Sequence, residues 1–262
     1  METRPSTTPR EVPRKALPEL RGANVALRKP SDEVHVSAHR LPAASWPPSD
    51  EGGAGYEQYV SDPAHPVPFL REKDTGMKPD YMALDQRFGV KRPDVLVYQS
   101  EPLSEDLTIA GSIKPNLFVS TTGTDGDWIV KVIDVYPDSV GGGQAGPAEG
   151  GFQELVRGDV MRAKFRNSYS RPEPMVPGKT TRVTFGMDDV LHTFKKGHRV
   201  MIQVQSSWFP LVDRNPQTFV DIYHAKPSDF KKATQRVYRT GAQASGIELQ
   251  VLPKGAAQPV VP

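Results

Sequence analysis

HTFKKGHRVMIQVQSSWFPLVDRNP, the stretch from His192 to Pro216, decides the fold of this 262-residue chain. Lys195-Lys196-Gly197 forms a turn signal, its glycine supplying a backbone angle that side chains oppose. Val200, Ile202 and Val204 then alternate with Met201, Gln203 and Gln205, the period-two pattern of a strand with one buried face. The stretch closes on Ser206-Ser207-Trp208-Phe209-Pro210 and the polar corner Asp213-Arg214-Asn215-Pro216. A buried strand running from a basic turn to an aromatic, proline-bounded corner predicts a central strand of an all-β sandwich.

Outward from it the chain carries more strand patterns. Val95 to Ser100 is one run, ended by Glu101-Pro102; Leu107 and Ile109 alternate before Gly111, and Leu117, Val119 and Thr121 before Gly123. Trp128 to Tyr136 is apolar on both parities, interrupted by Lys131 and Asp134, which predicts a strand buried on both faces. Leu155 to Phe165 mixes strand and turn character, while Thr181, Val183 and Phe185, and later Ile247, Leu249 and Val251, alternate again. Within the excursion from Pro210 to Thr240, Asp221 to Ala233 is expected to hold one short helix near Ser228-Asp229-Phe230. About eight strands at this spacing, without a long amphipathic helix, predict two packed sheets.

Several blocks carry a family resemblance: HTFKKGHRVMIQVQSSWFPLVDRNPQTF from His192, DQRFGVKRPDVLVYQSEPLSEDLTIAG (Asp85 to Gly111), DWIVKVIDVYPD (Asp127 to Asp138) and ATQRVYRT (Ala233 to Thr240). Over about Tyr56 to Pro253 the chain resembles the C-terminal region of the family of serine hydrolases that includes Xaa-Pro dipeptidyl-peptidases, cocaine esterases and α-amino-acid ester hydrolases. The resemblance implies a jelly-roll β-sandwich, of galactose-binding-like type, packed against a separate α/β-hydrolase domain that carries the Ser-His-Asp machinery. Its domain plan is a largely disordered head (1–55), a proline-rich strap (56–79), the jelly roll (80–253) and a tail (254–262). The expected function is that of the non-catalytic domain of such an enzyme, without its hydrolase half. A free-standing carbohydrate- or peptide-binding jelly roll is the alternative.

Composition narrows the classes further. Thirty-three basic against 31 acidic residues leave a net charge of only +2, which argues against strong capture of nucleic acid or an anionic membrane. The absence of cysteine excludes disulfides, thiolate metal sites and cysteine nucleophiles. The 26 prolines and 22 glycines favour turns and linkers over helices. Prolines and charges are dense in the head, which is expected not to bury enough surface to order itself. Pro63, Pro66 and Pro68 make the strap extended and, without a partner domain, loosely held. METRPSTTPREVPRK has no apolar core segment, so a secretory signal is not expected; no run approaches a membrane span, and the default compartment is the cytoplasm.

Candidate chemistry is sparse. No serine lies in Gly-x-Ser-x-Gly, the tight turn that exposes an α/β-hydrolase nucleophile, so no catalytic residue is assigned. Ser206 or Ser207 with His192 and Asp213 would be a triad by residue type only. Pro177-Gly178-Lys179-Thr180 ends like a phosphate loop but has Glu173 at the first glycine position and a strand pattern after it. His192 and His198 flank the lysine turn with no carboxylate spaced beside them, and Asp125-Gly126-Asp127 is accounted for by a turn; no metal and no cofactor is expected. Trp208, Phe209 and Tyr223 are the candidate substrate or interdomain contact, and Asp213, Arg214 and Asn215 a structural corner. Arg87 and Arg92 are expected in structural ion pairs. The partner implied is the hydrolase domain, with self-association expected if the contact is left uncovered. Limited trypsin digestion followed by mass spectrometry should remove the head up to about Tyr56 and leave the sandwich.

Overall fold

The computed structural model describes residues 23–25, 55–71, 81–138, 150–239 and 243–252. The rest of the head, the last third of the strap (72–79), the glycine-rich segment 139–149, residues 240–242 and the tail lie outside the described residues. Eleven strands are present among them: β1 (Ala23–Val25), β2 (Tyr56–Ser61), β3 (Val95–Gln99), β4 (Leu107–Thr121), β5 (Asp127–Val135), β6 (Gln153–Arg162), β7 (Thr181–Thr184), β8 (Met187–Phe194), β9 (Arg199–Gln205), β10 (Ala233–Tyr238) and β11 (Gly246–Val251). All pair antiparallel, in a seven-stranded and a four-stranded sheet, as an all-β sandwich requires.

β4 is the spine of the larger sheet. β8 and then β7 run along one of its edges, β11 and then β10 along the other, and β1 and β2 extend the outer ends. The two alternating runs either side of Gly111 are one strand, not two. Gly111 has φ +107° and the register shifts at this bulge, while Ile109, Ile113, Leu117 and Val119, all of one parity, stay buried on the same face. The smaller sheet has the order β3-β9-β5-β6, which makes the His192–Pro216 strand central, as its pattern predicts. Gly197, in the turn before it, has φ +85°.

Between the sheets lies one core: Leu96, Trp128, Val130, Val132, Val200, Ile202 and Val204 from the smaller sheet meet Ile109, Ile113, Leu117, Val119, Val183, Phe194, Val237 and Ile247 from the larger. A second core covers the smaller sheet's other face. There Val97, Ile129, Ile133, Leu155 and Met201 pack under Val67, Phe69, Leu70 and Trp208. All nine residues of β5 are therefore buried, which is why its sequence is apolar on both parities.

The strap differs from its expectation. Its first residues form β2, registered along β10 from Tyr56↔Tyr238 to Ser61↔Ala233, and its proline segment is tied to the corner after β9. Val67 N donates to Ser207 Oγ (2.8 Å), Phe209 N to Val67 O and Phe69 N to Phe209 O (both 2.9 Å). Proline removes donors, but the apolar residues between the prolines supply both the remaining donors and the buried area. For the same reason β9 is buried on both faces, and Gln203 and Gln205, whose alternation suggested a solvent face, have no exposure. β8, β10 and the pairing of β1 were not visible as strands in the sequence. In place of the one short helix there are two 3-10 turns, Ile222–His224 and Pro227–Asp229, and Arg87 and Arg92 pair with Asp85 and Asp94. No helix among the described residues is long and apolar enough to cross a membrane.

Lys131, on the outer face of β5, is fully buried. Its Nζ donates to Gln86 Oε1 at 3.2 Å and lies 5.1 Å from the Trp208 ring and 5.6 Å from that of Phe88. Burial pushes its ammonium down from 10.5 to about 7. Between those values the unfolded chain holds a proton that the folded chain lacks, so folding stability rises with pH across that window. Above pH ~10 the buried phenols of Tyr59 and Tyr98, both pushed up by burial, oppose the trend. Urea titrations should show stability increasing from pH 7 to 9 by on the order of 2 kcal/mol. Lys131→Met should flatten that slope and raise the midpoint at pH 7.

Candidate functional site

Three loops converge at one end of the sandwich: 122–126, 163–180 and 213–232. Their junction is a buried polar network. Asp127, the first residue of β5, faces Arg162 directly across the β5–β6 ladder. Arg162 Nε and Nη2 donate to its two carboxylate oxygens at 3.0 Å each, and Asn215 Nδ2 donates at 2.7 Å. Arg162 Nη2 also reaches Asp213 O (2.9 Å), while Asn215 Oδ1 accepts from Gln217 N (2.7 Å).

Gln217 is the hub. It is buried and has φ +61°, a left-handed conformation rare for a side-chain-bearing residue. Its Nε2 donates to Ser61 O (2.8 Å) and Lys231 O (3.1 Å), and its own carbonyl accepts from Thr124 N and Asp125 N. Gly123 is obligatory beside it, because a Cβ there would stand 2.3 Å from Gln217 O. Thr124 joins the other two loops: Met175 N donates to its carbonyl and Phe219 N to its Oγ1, both at 2.8 Å. Burial pushes the Asp125 carboxyl up, partly offset by the amide of Gly126. Lys164 N donates to Asp125 Oδ1 (3.0 Å), and Lys164 Nζ reaches Val220 O (2.8 Å).

What this network presents outward is aromatic. Asp221 caps a 3-10 turn at Ile222–His224, accepting from Tyr223 N at 3.1 Å and hydrogen-bonding His224 Nδ1 at 2.6 Å. The Tyr223 side chain at its tip is 85% exposed. Tyr169 (80% exposed), Val176 and Phe219 project from the same loops.

The structure separates the three sequence-selected contact residues. Trp208 is a core residue, 4% exposed, packed against Tyr81 and over Lys131, with its ring where a Cβ on Gly158 would stand (2.7 Å). It offers no surface to a partner. Phe209 is half-buried, its ring 5.5 Å from the Arg214 guanidinium, and only Tyr223 is open to solvent. Arg214 also lies over Phe230 (5.4 Å) and donates to Pro63 O (3.0 Å), so Asp213, Arg214 and Asn215 together fasten the corner to β6, the strap and β5. The hub at Gln217 carries no signal beyond adjacency to that corner, and Tyr169 and Phe219 none beyond their residue type.

The triad residues do not meet. Ser206 Oγ bonds Tyr59 OH (2.7 Å), Ser207 Oγ accepts from Val67 N, and His192 Nε2 lies 2.9 Å from Asp134 Oδ2. His198 Nδ1 takes the other oxygen of Asp134 at 2.8 Å, so one carboxylate from β5 bridges both histidines and links the two sheets. Asp125 and Asp127 face amide and guanidinium donors. Among the described residues no group of three or more His, Cys, Asp or Glu side chains is arranged to hold a metal ion.

Residues 31–248 match the family model described as the X-Pro dipeptidyl-peptidase C-terminal non-catalytic domain. The chain is 31% identical over 204 residues to a cocaine esterase of Rhodococcus sp. (strain MB1 Bresler), covering 78% of this chain and 33% of that protein. Among solved structures it is similar to an α-amino acid ester hydrolase (48% identity, TM-score 0.72, 77% of this chain and 33% of that one). It is also similar to an aminopeptidase from a marine sediment archaeon, Thaumarchaeota archaeon (43% identity, TM-score 0.70, 76% and 33%). The chain thus spans about a third of the length of each of these relatives.

Asp127→Ala would strand Arg162 and Asn215 in a buried setting. Urea unfolding is expected to show a loss of about 3–5 kcal/mol, the usual cost of removing one partner of a buried ion pair.

Proposed function

The chain belongs to the family of X-Pro dipeptidyl-peptidase C-terminal non-catalytic domains, and from that membership we propose that it serves a serine hydrolase of ester- or Xaa-Pro-cleaving type as its structural partner rather than as its catalyst. The match over residues 31–248 carries this reading. Two physical features support it. Acyl transfer needs a nucleophile, a base within hydrogen-bond reach and donors for the oxyanion. In this chain Ser206, Ser207 and His192 are each committed to a different structural bond. A sandwich held by two cores and a rigid loop end supplies a scaffold and a surface, which is what a catalytic domain gains from a partner without chemistry of its own.

The rival reading, a module that binds sugar or peptide on a sheet face, loses one of its two faces. The strap and Trp208 already cover the outside of the smaller sheet. The groove lined by Gln58, Tyr59, Val60, Pro93 and Thr234 has a volume of about 220 Å³, small for a ligand pocket, for which ~300–1,000 Å³ is usual.

Incubation of the purified chain with p-nitrophenyl esters and with an Xaa-Pro anilide should give no turnover above buffer. Turnover that survives purification and disappears in Ser207→Ala would overturn the reading. So would tight binding of an oligosaccharide by the chain alone, in calorimetry.

A further inference from the structure

Seven large apolar side chains are exposed among the described residues: Val60, Leu84, Tyr169, Val176, Leu191, Phe219 and Tyr223. Four of them, Tyr169, Val176, Phe219 and Tyr223, belong to the converging loops, and the other three are scattered over β2, the segment before Asp85, and β8. Scattered single apolar residues are ordinary on a protein surface; a grouping of them at one end is what marks a contact.

The loops also fix the backbone beneath three of these side chains, Val176, Phe219 and Tyr223. Val176 follows Met175, and Met175 and Phe219 are both bonded to Thr124, so two of the four flank a single residue. Tyr223 stands on a turn capped by Asp221 and stapled through the Lys164–Val220 bond. That turn is followed by a second one, closed by Lys226 N donating to Asp229 Oδ2 at 2.8 Å and Thr218 Oγ1 donating to Asp229 O at 2.9 Å. A tyrosine with a fixed backbone and two free dihedrals loses little entropy on being covered, which is why such residues dominate interface energetics. Nothing inside the sandwich needs these rings: both cores are complete without them. The left-handed Gln217, bonded to Ser61, Lys231, Thr124 and Asp125, fixes the backbone at the root of the same loops.

We propose that this loop end, with Tyr223 as its anchor and Tyr169, Val176 and Phe219 as its other exposed apolar side chains, is the surface that docks onto the α/β-hydrolase domain of the enzyme. The proposal rests on reading the chain as the non-catalytic partner of such a domain. The occupant follows from length: the relatives are about three times as long as the segment they share with this chain, and the family is defined as the part that does not catalyse. The remaining two thirds are the body that a non-catalytic domain has to meet.

The test uses the full chain, produced together with the catalytic portion of the α-amino acid ester hydrolase relative carrying an affinity tag. Copurification and titration calorimetry read the association. Three versions are compared: wild type, the double variant Tyr169→Ser/Tyr223→Ser, and Leu191→Ser as a control on β8. The expected result is that wild type and Leu191→Ser bind alike, while the double variant binds at least tenfold more weakly with an unchanged thermal midpoint. A double variant that binds like wild type overturns the surface assignment and leaves the reading of the chain intact. Failure of the wild-type chain to bind overturns that reading, and the surface with it. If the chain instead pairs with a second copy of itself through a contact that the double variant abolishes, and ignores the hydrolase portion, the surface has a different occupant and the proposal falls.

Discussion

A four-stranded sheet that is apolar on both faces must be covered on both, and the rest of this structure follows from how that is done. One face of β3-β9-β5-β6 meets the larger sheet in the ordinary way. The other has no second sheet available. It is closed by chain segments from far apart in sequence: the proline strap at Val67–Leu70, the turns around Tyr81 and Val90, and the corner at Trp208. Prolines suit such a cover because a strap crossing a sheet face does not need a continuous ladder, and their fixed φ lowers the entropy lost on ordering. What the strap does need is a few backbone bonds, and Ser207 and Phe209 provide them just where β9 ends. The corner after the central strand is therefore the clasp of the second core.

Covering that face encloses polar groups as well. Lys131, Gln203 and Gln205 would be solvated if the sheet were bare, and under the strap they have no exposure. The amine keeps one carboxamide acceptor and two aromatic rings, which stabilise a cation less than water does, so it is held near neutrality at a cost in stability at pH 7. Burial at the loop end is handled differently. There Asp127 is met by a fork of Arg162 and by Asn215, and Gln217 uses its amide hydrogens, its backbone nitrogen and its carbonyl. A charge paired in that bidentate way specifies a geometry as well as compensating burial. The sandwich centre thus tolerates an awkward lysine, while the loop end is fixed atom by atom.

Much of this was legible in the sequence where a pattern is local. The alternation of Val200, Ile202 and Val204 placed the central strand, and the double-sided apolar run of Trp128 to Tyr136 announced the strand buried on both faces. Legibility failed where burial comes from a remote segment. Gln203 and Gln205 look like a wet face until the strap arrives, and Lys131 looks like an interruption. β4 looked like two strands because a bulge at Gly111 mimics a turn, and β10 looked like part of a loop because its partners, β2 and β4, are distant in the chain. At the candidate site, Tyr223 could be chosen by residue type, but Trp208 was chosen for the same reason and is core. A proline-bounded aromatic corner says that a contact is made; it does not say whether the contact is with the chain's own strap or with another domain.

The distinction matters for how such a domain can evolve. The residues that hold the fold and those that face outward are almost disjoint here: Trp208, Phe69 and Met201 carry the second core, while Tyr169 and Tyr223 carry no core contact. Between them stands the polar junction of Asp127, Arg162, Asn215 and Gln217, which touches β5, β6 and the strap on one side and the displaying loops on the other. Changes at the outer aromatics alter what the surface fits without altering stability, because an exposed ring contributes little to the folded state. Changes at the junction act on both at once, since removing one buried partner leaves the others unpaired and frees the loops together. A non-catalytic domain organised in this way can keep one sandwich while its partner's surface varies, and the junction is the part that has to stay as it is.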